Sequence, residues 1–188
     1  MDAWVWIVIA VVAVVVIALV AWTAARKRRT DSLRGQFGSE YDKATTEGGS
    51  RRAGESELAD RVKRRDELDI RPLAPAAAER YTNEWQSVQA RFVDSPEGAL
   101  GEADRLVTTV MQERGYPMDD FDQRSSDISV DHPDVVDAYR AGHAISMAND
   151  HGKATTEDLR QAMVHYRSLF ERMVEVDGET RTTPQGAE

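Results

Sequence analysis

The sequence predicts an all-α protein with a single N-terminal transmembrane helix, a flexible tether and then a four- or five-helix bundle. Three observations predict this organisation. Residues 3–25 contain no charged side chain. Residues 26–56 are rich in Gly, Ser, Thr and charged residues and show no sustained apolar period. In residues 57–176 apolar residues recur every three or four positions, and no segment alternates as a strand would.

The uncharged segment is long enough to cross a lipid bilayer. As a helix its 23 residues measure about 34 Å, against about 30 Å for the hydrocarbon core. Trp4 and Trp6 lie near one end and Trp22 near the other, where aromatic rings favour the membrane interface. We therefore expect residues 3–25 to enter the bilayer as a single-pass anchor.

The charges that flank this segment predict its orientation. Four basic residues follow it, whereas Asp2 precedes it; the four are Arg26, Lys27, Arg28 and Arg29. By the positive-inside rule, the N-terminus lies outside and the C-terminal domain lies in the cytoplasm. The same basic residues can attract anionic lipid. The alternative is a cleaved signal peptide or an inverted topology, which would make this an envelope-side protein. Signal peptides, however, carry positive charge before a shorter apolar stretch.

Charge is segregated along the rest of the chain. Residues 26–80 have a net charge of +3, and residues 81–188 have a net charge of −11. An acidic distal domain argues against nucleic-acid binding, which needs clustered positive charge. We expect residues 26–56 to form a disordered basic tether and residues 177–188 to form a disordered tail.

Prolines and capping residues predict where the helices of the bundle begin and end. The predicted boundaries are at Pro72, Pro75, Pro96, Gly115, Asp131 and Thr155. Thr155 and Asp158 have the spacing of a capping box, with Asp in place of the usual Glu. Residues 116–132 are predicted to be a connection that contains a short helix near residues 118–124.

Two apolar stripes have a structural and a functional interpretation. Tyr81, Trp85 and Phe92 recur at helical spacing, which favours a place in the core over a ligand groove or partner face. The helix predicted over residues 57–68 has little apolar surface, so it needs a partner to be stable. This helix is therefore the better candidate for a binding surface.

The sequence contains no recognisable catalytic motif. The absence of cysteine excludes thiolate metal sites and thiol catalysis. No His-x-x-x-His or Glu-x-x-His pair occurs among His132, His143, His151 and His165. The acidic run at residues 118–122 lacks the Gly and Glu of a calcium-binding EF-hand loop. We therefore predict no catalytic, cofactor-binding or metal-binding residue. The alternative is an enzymatic or metal-binding bundle that uses His143 and neighbouring carboxylates.

Five segments of the soluble part carry a resemblance to known proteins. They are LDIRPL at 68–73, VQARFVD at 88–94, ERGYP at 113–117, VDHP at 130–133 and TEDLRQAM at 156–163. Together they resemble a group of uncharacterised, membrane-anchored actinobacterial proteins that are labelled hypothetical or secreted. The resemblance covers about residues 57–176 and implies no activity, cofactor or functional residue. The apolar segment, the tether and the acidic bundle predict a cytoplasm-facing interaction module with a protein partner.

Overall fold

The prediction of an all-α fold is confirmed. A computed structural model describes residues 3–175, with the side chains of residue 4 and residues 11–175. This part of the chain contains eight helices and no strand. The helices are α1 (Ala3–Phe37), α2 (Ser39–Glu47), α3 (Arg51–Asp66), α4 (Pro75–Arg91), α5 (Pro96–Arg114), α6 (Phe121–Asp131), α7 (Val136–Asp150) and α8 (Thr156–Val174). The predicted tail at residues 177–188 lies outside the described residues.

The chain divides after Ala59, within α3, into two compact units. Unit 1 contains α1, α2 and the first part of α3. Unit 2 contains the end of α3 and the helices from α4 to α8. The prediction of a helical bundle is confirmed for the part of the chain that follows the predicted tether.

The predicted transmembrane helix is not supported by the structure. In the part of the chain that is described, no helix is both long and apolar enough to cross a membrane. The predicted segment at residues 3–25 lies in α1, and the side chains of residues 5–10 within it lie outside the description. The described part of α1 nevertheless exposes many large apolar side chains, each with at least half of its surface accessible. They are Val11, Val12, Val14, Val15, Val16, Ile17, Leu19 and Val20.

Unit 1 differs from the tether predicted for residues 26–56, because these residues are helical apart from two short turns. The side chains of Leu33, Phe37, Tyr41 and Ala44 are buried. Leu33 and Phe37 are four residues apart on α1, and Tyr41 and Ala44 are three apart on α2, so each pair shares one face of its own helix. Two such pairs, separated by the turn at Gly38 and surrounded by polar residues, are too short to stand out as a helical period.

The turn between α2 and α3 depends on glycine. A Cβ atom on Gly54 would lie 2.6 Å from the carbonyl oxygen of Ala44 and 2.7 Å from the Cα atom of Thr45. Because real Cβ atoms do not approach backbone this closely, Gly54 allows the start of α3 to pack directly against the end of α2. The backbone at Gly49, with a φ of 69°, is in the left-handed region that favours glycine.

The helix boundaries of unit 2 agree with most of the predicted signals. Pro75 and Pro96 are at the first turns of α4 and α5, and Gly115 ends α5 with a φ of 99°. Thr155 and Asp158 form the predicted capping box at the start of α8. Local capping chemistry therefore sets these boundaries, as the sequence indicates.

The core of unit 2 is formed mainly by apolar side chains of α4, α5 and α8, to which α6 adds Ile128 and α7 adds Tyr139. Tyr81 and Trp85 are buried there, which confirms the core interpretation of the aromatic stripe. Trp85 stacks on Phe170, with 4.8 Å between the ring centroids. Phe92 is partly buried and packs against the edge of this core.

The segment between α5 and α7 is more helical than predicted. A short helix was expected near residues 118–124, but α6 runs from Phe121 to Asp131. Its start is fixed by Asp120, whose side chain accepts a hydrogen bond of 2.8 Å from the backbone N–H of Gln123. Its second half is largely buried, and Ile128 packs in the core of unit 2. The next helix, predicted to begin at Asp131, begins at Val136 after a turn.

The end of α3 is held to α6 by charged side chains within unit 2. The Nε atom of Arg65 donates to both carboxylate oxygens of Asp131, at 2.7 and 2.9 Å. The Nε atom of Arg64 donates to Asp127 Oδ1 at 3.2 Å. The helix predicted over residues 57–68 has little apolar surface and was expected to need a partner. Ion pairs with α6 supply such contacts for the end of α3.

Candidate functional site

A cleft with a basic rim lies beside Trp22 in unit 1. We call it the basic cleft; it has a volume of about 540 Å³ and is lined by Trp22, Ala25, Arg26, Arg29, Arg52, Glu55 and Ser56. Trp22, Arg26 and Arg29 are on α1 at spacings of four and three, so they share one face of that helix. The remaining charged side chains come from the first two turns of α3. The cleft is therefore formed by two helices that are distant in sequence.

Glu55 joins the three helices of unit 1. Its Oε1 atom accepts hydrogen bonds of 2.8 Å from Thr30 of α1 and of 2.8 Å from Tyr41 of α2. Arg51, one turn earlier on α3, donates from Nε to the same oxygen at 3.0 Å and to the Tyr41 hydroxyl at 3.0 Å. Glu55 is buried, with 8% of its surface exposed. A buried carboxylate with this many donors fixes the start of α3 against α1 and α2.

The electrostatics of this cluster favour the ionised carboxylate. Burial acts to raise the pKa of Glu55, but the hydrogen bonds from Thr30, Tyr41 and Arg51 outweigh it, so the pKa is lowered. The hydrogen bond with Tyr41 and then that with Glu55 raise the pKa of Arg51. The negative charge of Glu55 is therefore balanced within the cluster, although its side chain also borders the basic cleft.

The arginines that line the basic cleft, unlike Arg51, are not paired with a carboxylate in the described part of the chain. Within the described residues, none of Arg26, Arg29 and Arg52 has a carboxylate at ion-pair distance. All three are exposed. The guanidinium carbon of Arg26 lies 5.9 Å from the centroid of the Trp22 ring, which is the geometry of a cation–π contact. Three unpaired guanidinium groups around one cleft attract anions.

A second cleft adjoins the first on α1. It has a volume of about 410 Å³, and its lining residues are Trp22, Thr23, Arg26, Lys27, Thr30, Asp31 and Arg51. Two of these residues, Trp22 and Arg26, border both clefts. The second cleft contains an acidic side chain, Asp31, and an arginine that is already paired with Glu55. It is therefore the less favourable of the two for an anion.

The structure brings together some of the residues predicted for the membrane interface. Arg26, Lys27 and Arg29 border the clefts, whereas Arg28 borders neither. Trp22 is 61% exposed, and Trp4 is 63% exposed. The side chain of Trp6 lies outside the described residues. Their role at a membrane interface stays a prediction.

Sequence reasoning missed the contribution of α3 to this site. The sequence predicts a disordered tether over the residues that include Arg51 and Arg52, so it does not place them near the basic residues of α1. The one available signal is that Arg51 and Glu55 have the spacing of an ion pair on a helix. The hydrogen bonds from Thr30 and Tyr41 to Glu55 depend on tertiary structure, which no local pattern indicates.

His143, the residue of the alternative metal-binding hypothesis, lies in a mixed aromatic and polar environment in unit 2. Its ring stacks on Phe121, with 3.8 Å between centroids. Its Nδ1 atom is 3.9 Å from Asp104 Oδ1, and that oxygen accepts a hydrogen bond of 2.6 Å from the Tyr166 hydroxyl. Burial lowers the pKa of His143, so the neutral imidazole is favoured.

Three of the carboxylates near the histidines in sequence have other partners. Asp131 binds Arg65 and Tyr116, Asp134 pairs with Arg172, and Asp158 belongs to the capping box of α8. Among the residues that the structure describes, no group of three His, Cys, Asp or Glu side chains is arranged to hold a metal ion. The metal-binding hypothesis therefore gains no support from the geometry around His143.

A shallow groove is present on the surface of unit 2. It has a volume of about 160 Å³ and is lined by Gln89, Phe92, Arg160, Met163, Val164 and Arg167. Arg160 and Arg167 each pair with a glutamate on α8, at 2.6 and 2.7 Å. The groove is small and its charges are balanced, so the basic cleft is the stronger candidate site. No protein-family model matches this chain, and no curated protein or solved structure is similar to it at a significant level.

Proposed function

We propose that this protein is a single-pass membrane protein whose cytoplasm-facing acidic helical domain acts as a protein-interaction module. The observation that supports the anchor best is the apolar surface of α1. Its large side chains from Val11 to Val20 are at least half exposed and point in all directions around the helix. A helix that is apolar on every side is favoured inside a protein core or a membrane, not in water.

The length of the uncharged segment is consistent with this proposal. From Val11 to the first basic residue, α1 extends over only about 22 Å, which is shorter than the hydrocarbon core of a bilayer. The full uncharged segment of residues 3–25 measures about 34 Å. It contains twelve Val, Ile and Leu residues, which together favour insertion by about 4–7 kcal/mol. The proposed anchor therefore needs the whole segment.

The orientation and the role of the distal domain follow from charge. The basic residues after the segment favour retention of that end in the cytoplasm. The net charge of −11 on residues 81–188 opposes contact with an anionic membrane surface or with nucleic acid. An acidic helical domain without a catalytic motif, attached to a membrane, is suited to binding a protein partner, because attachment raises the local concentration of both.

Membrane extraction tests the anchor. We expect the full chain to stay with the membrane pellet after alkaline carbonate treatment. The variant Val12→Arg/Val15→Arg adds about 5–7 kcal/mol to the cost of insertion, which cancels the favourable contribution of the segment. It should move to the soluble fraction, whereas Val12→Leu/Val15→Leu should not. Release of the unchanged chain by carbonate would contradict the proposed anchor.

Crosslinking in intact cells followed by mass spectrometry tests the interaction module. A variant that keeps residues 3–59 and replaces unit 2 with an unrelated soluble domain is the control for proteins that only share the membrane. The proposal expects at least one protein that is crosslinked to the full chain and not to the control. Identical sets of crosslinked proteins would contradict a binding role for unit 2.

A further inference from the structure

The basic cleft combines residues that no single stretch of sequence brings together. Arg26 and Arg29 come from α1, and Arg52 comes from the first turn of α3. Gly54 and the hydrogen bonds to Glu55 hold α3 in this position. The three arginines border one cavity and, among the described residues, have no carboxylate partner. Three arginine side chains from two helices therefore border one cavity, where their guanidinium groups can donate to an anion.

We infer that the basic cleft binds the phosphate of an anionic phospholipid headgroup, an inference that rests on the proposed membrane anchor. Guanidinium groups present paired N–H donors that match the oxygens of a phosphate. Trp22 and Ala25 provide an apolar wall at the same cavity, on the side of the membrane segment. Ser56, which carries a hydroxyl group, also lines the cavity.

The position of the cleft along α1 matches the depth of phospholipid headgroups. Arg26 and Arg29 lie about 6 Å and about 10 Å beyond Trp22 along the helix axis. A headgroup layer is about 5–8 Å thick on each side of the hydrocarbon. If Trp22 lies at the interface, Arg26 is at the level of the phosphates. Arg29 is slightly beyond them, and its long side chain can reach back.

The acidic residue of the cleft does not prevent anion binding. Glu55 Oε1 already accepts hydrogen bonds from Thr30, Tyr41 and Arg51, and the charge of Arg51 offsets that of the carboxylate. Its main contribution is to fix the position of Arg52, which lies three residues earlier on the same helix. Glu55 is therefore a positioning residue for the proposed site.

The cleft differs from a general basic stretch next to a membrane in one testable respect. Arg28 lies within the basic cluster of α1 but does not border the cleft, whereas Arg52 lies far from the cluster in sequence and does. Non-specific attraction to anionic lipid would depend on proximity to the membrane segment. Binding in the cleft would depend on Arg52 and not on Arg28.

The test is native mass spectrometry of the full chain in nanodiscs of phosphatidylcholine with one-tenth phosphatidic acid. We expect the unchanged protein to retain one phosphatidic acid molecule preferentially. Arg52→Gln and Arg29→Gln should each weaken its retention about fivefold. The matched control Arg28→Gln should weaken it clearly less, because Arg28 does not border the cleft. Arg52→Lys should recover part of the loss, because it restores the charge without the paired donors. The helix content and melting temperature of each variant show that it is folded.

The outcomes separate the cleft from the anchor. A protein that enters nanodiscs but retains no phosphatidic acid, or loses it equally with Arg28→Gln and Arg52→Gln, overturns the proposed cleft and leaves the anchor intact. A protein that does not enter nanodiscs overturns the anchor and the inference with it.

A second experiment adds inorganic phosphate as a competitor to the protein that has retained phosphatidic acid. Displacement of the lipid by micromolar phosphate would show that the cleft prefers a soluble anion and would overturn the lipid assignment.

Discussion

Removal of the Arg64 side chain should destabilise unit 2 far more than removal of an arginine on its surface. Arg64 donates to Asp127, whose carboxylate is only 1% exposed. The variant Arg64→Ala leaves this buried carboxylate with a single described hydrogen bond to Oδ1, donated by Gln123 Nε2 at 3.0 Å, and with no partner for Oδ2. The negative charge would then be buried without a counterion.

The size of this effect follows from burial. Removal of one partner from a fully buried ion pair lowers the free energy of unfolding by about 3–5 kcal/mol. Because Arg64 itself is 41% exposed, water screens part of the pair, and we expect about 2–3 kcal/mol for Arg64→Ala. In a chain of this length that corresponds to a decrease in melting temperature of about 4–12 °C. The assay is thermal unfolding of the full chain in nanodiscs, monitored by far-ultraviolet circular dichroism.

Arg160→Ala is the matched control. Arg160 is also on a helix, but its side chain is 56% exposed and that of its partner Glu157 is 70% exposed. Its removal should therefore lower the free energy of unfolding by less than about 1 kcal/mol. The double variant Arg64→Met/Asp127→Leu should recover most of the stability, because it removes both charges. Equal melting temperatures for Arg64→Ala and Arg160→Ala would refute this reasoning.

Two further predictions concern the packing of unit 1 and the response of unit 2 to pH. Gly54→Ala should lower the stability of unit 1 by about 1–3 kcal/mol, because the added Cβ collides with the backbone of Ala44. We expect faster hydrogen exchange in α2 and α3, and unchanged exchange would contradict this prediction. Burial lowers the pKa of His132 and of His143 below the usual 6.5, so the unfolded chain takes up protons first as the pH falls. The free energy of unfolding should therefore decrease between about pH 7 and pH 5, by at most about 1.4 kcal/mol per pH unit for each histidine. Denaturant titrations at several pH values measure this slope, which should become smaller in His132→Gln and in His143→Gln; a slope that neither variant changes would count against the burial argument.

Local signals in the sequence predicted the helices of unit 2 well. Pro75, Pro96 and Gly115 act within a few residues of themselves, because they change which backbone angles or hydrogen bonds are available. Thr155 and Asp158 satisfy each other's backbone donors, so their spacing is sufficient to predict a helix start. These features do not depend on the rest of the fold.

The helical structure of residues 26–56 was not predicted, because its stabilising contacts are not local. The bond between Thr30 and Glu55 joins positions 25 residues apart, and the bond from Tyr41 to Glu55 spans 14. A composition rich in Gly, Ser and charge is typical of disorder, and Gly54 looks like a flexible residue until its close contact with Ala44 is known. The basic cleft could not be predicted for the same reason, since Arg52 reaches it only through this packing.

The contacts between α3 and α6 also depend on tertiary structure. Arg64 and Asp127 are 63 positions apart, and the sequence offers many other acidic residues as partners. Only the placement of the two helices selects Asp127. The small apolar surface of residues 57–68 predicted that this helix needs a partner, but it could not indicate which helix supplies the contacts.

Topology is the most direct test of the proposal that this protein is a cytoplasm-facing membrane protein. A reporter that is active only in the cytoplasm and a reporter that is active only after export are fused separately to Glu188 of the full chain. Activity of the cytoplasmic reporter alone, in cells whose fusion protein resists carbonate extraction, is the result that the proposal predicts. Activity of the exported reporter alone would contradict it and would place the acidic helical domain on the envelope side of the membrane.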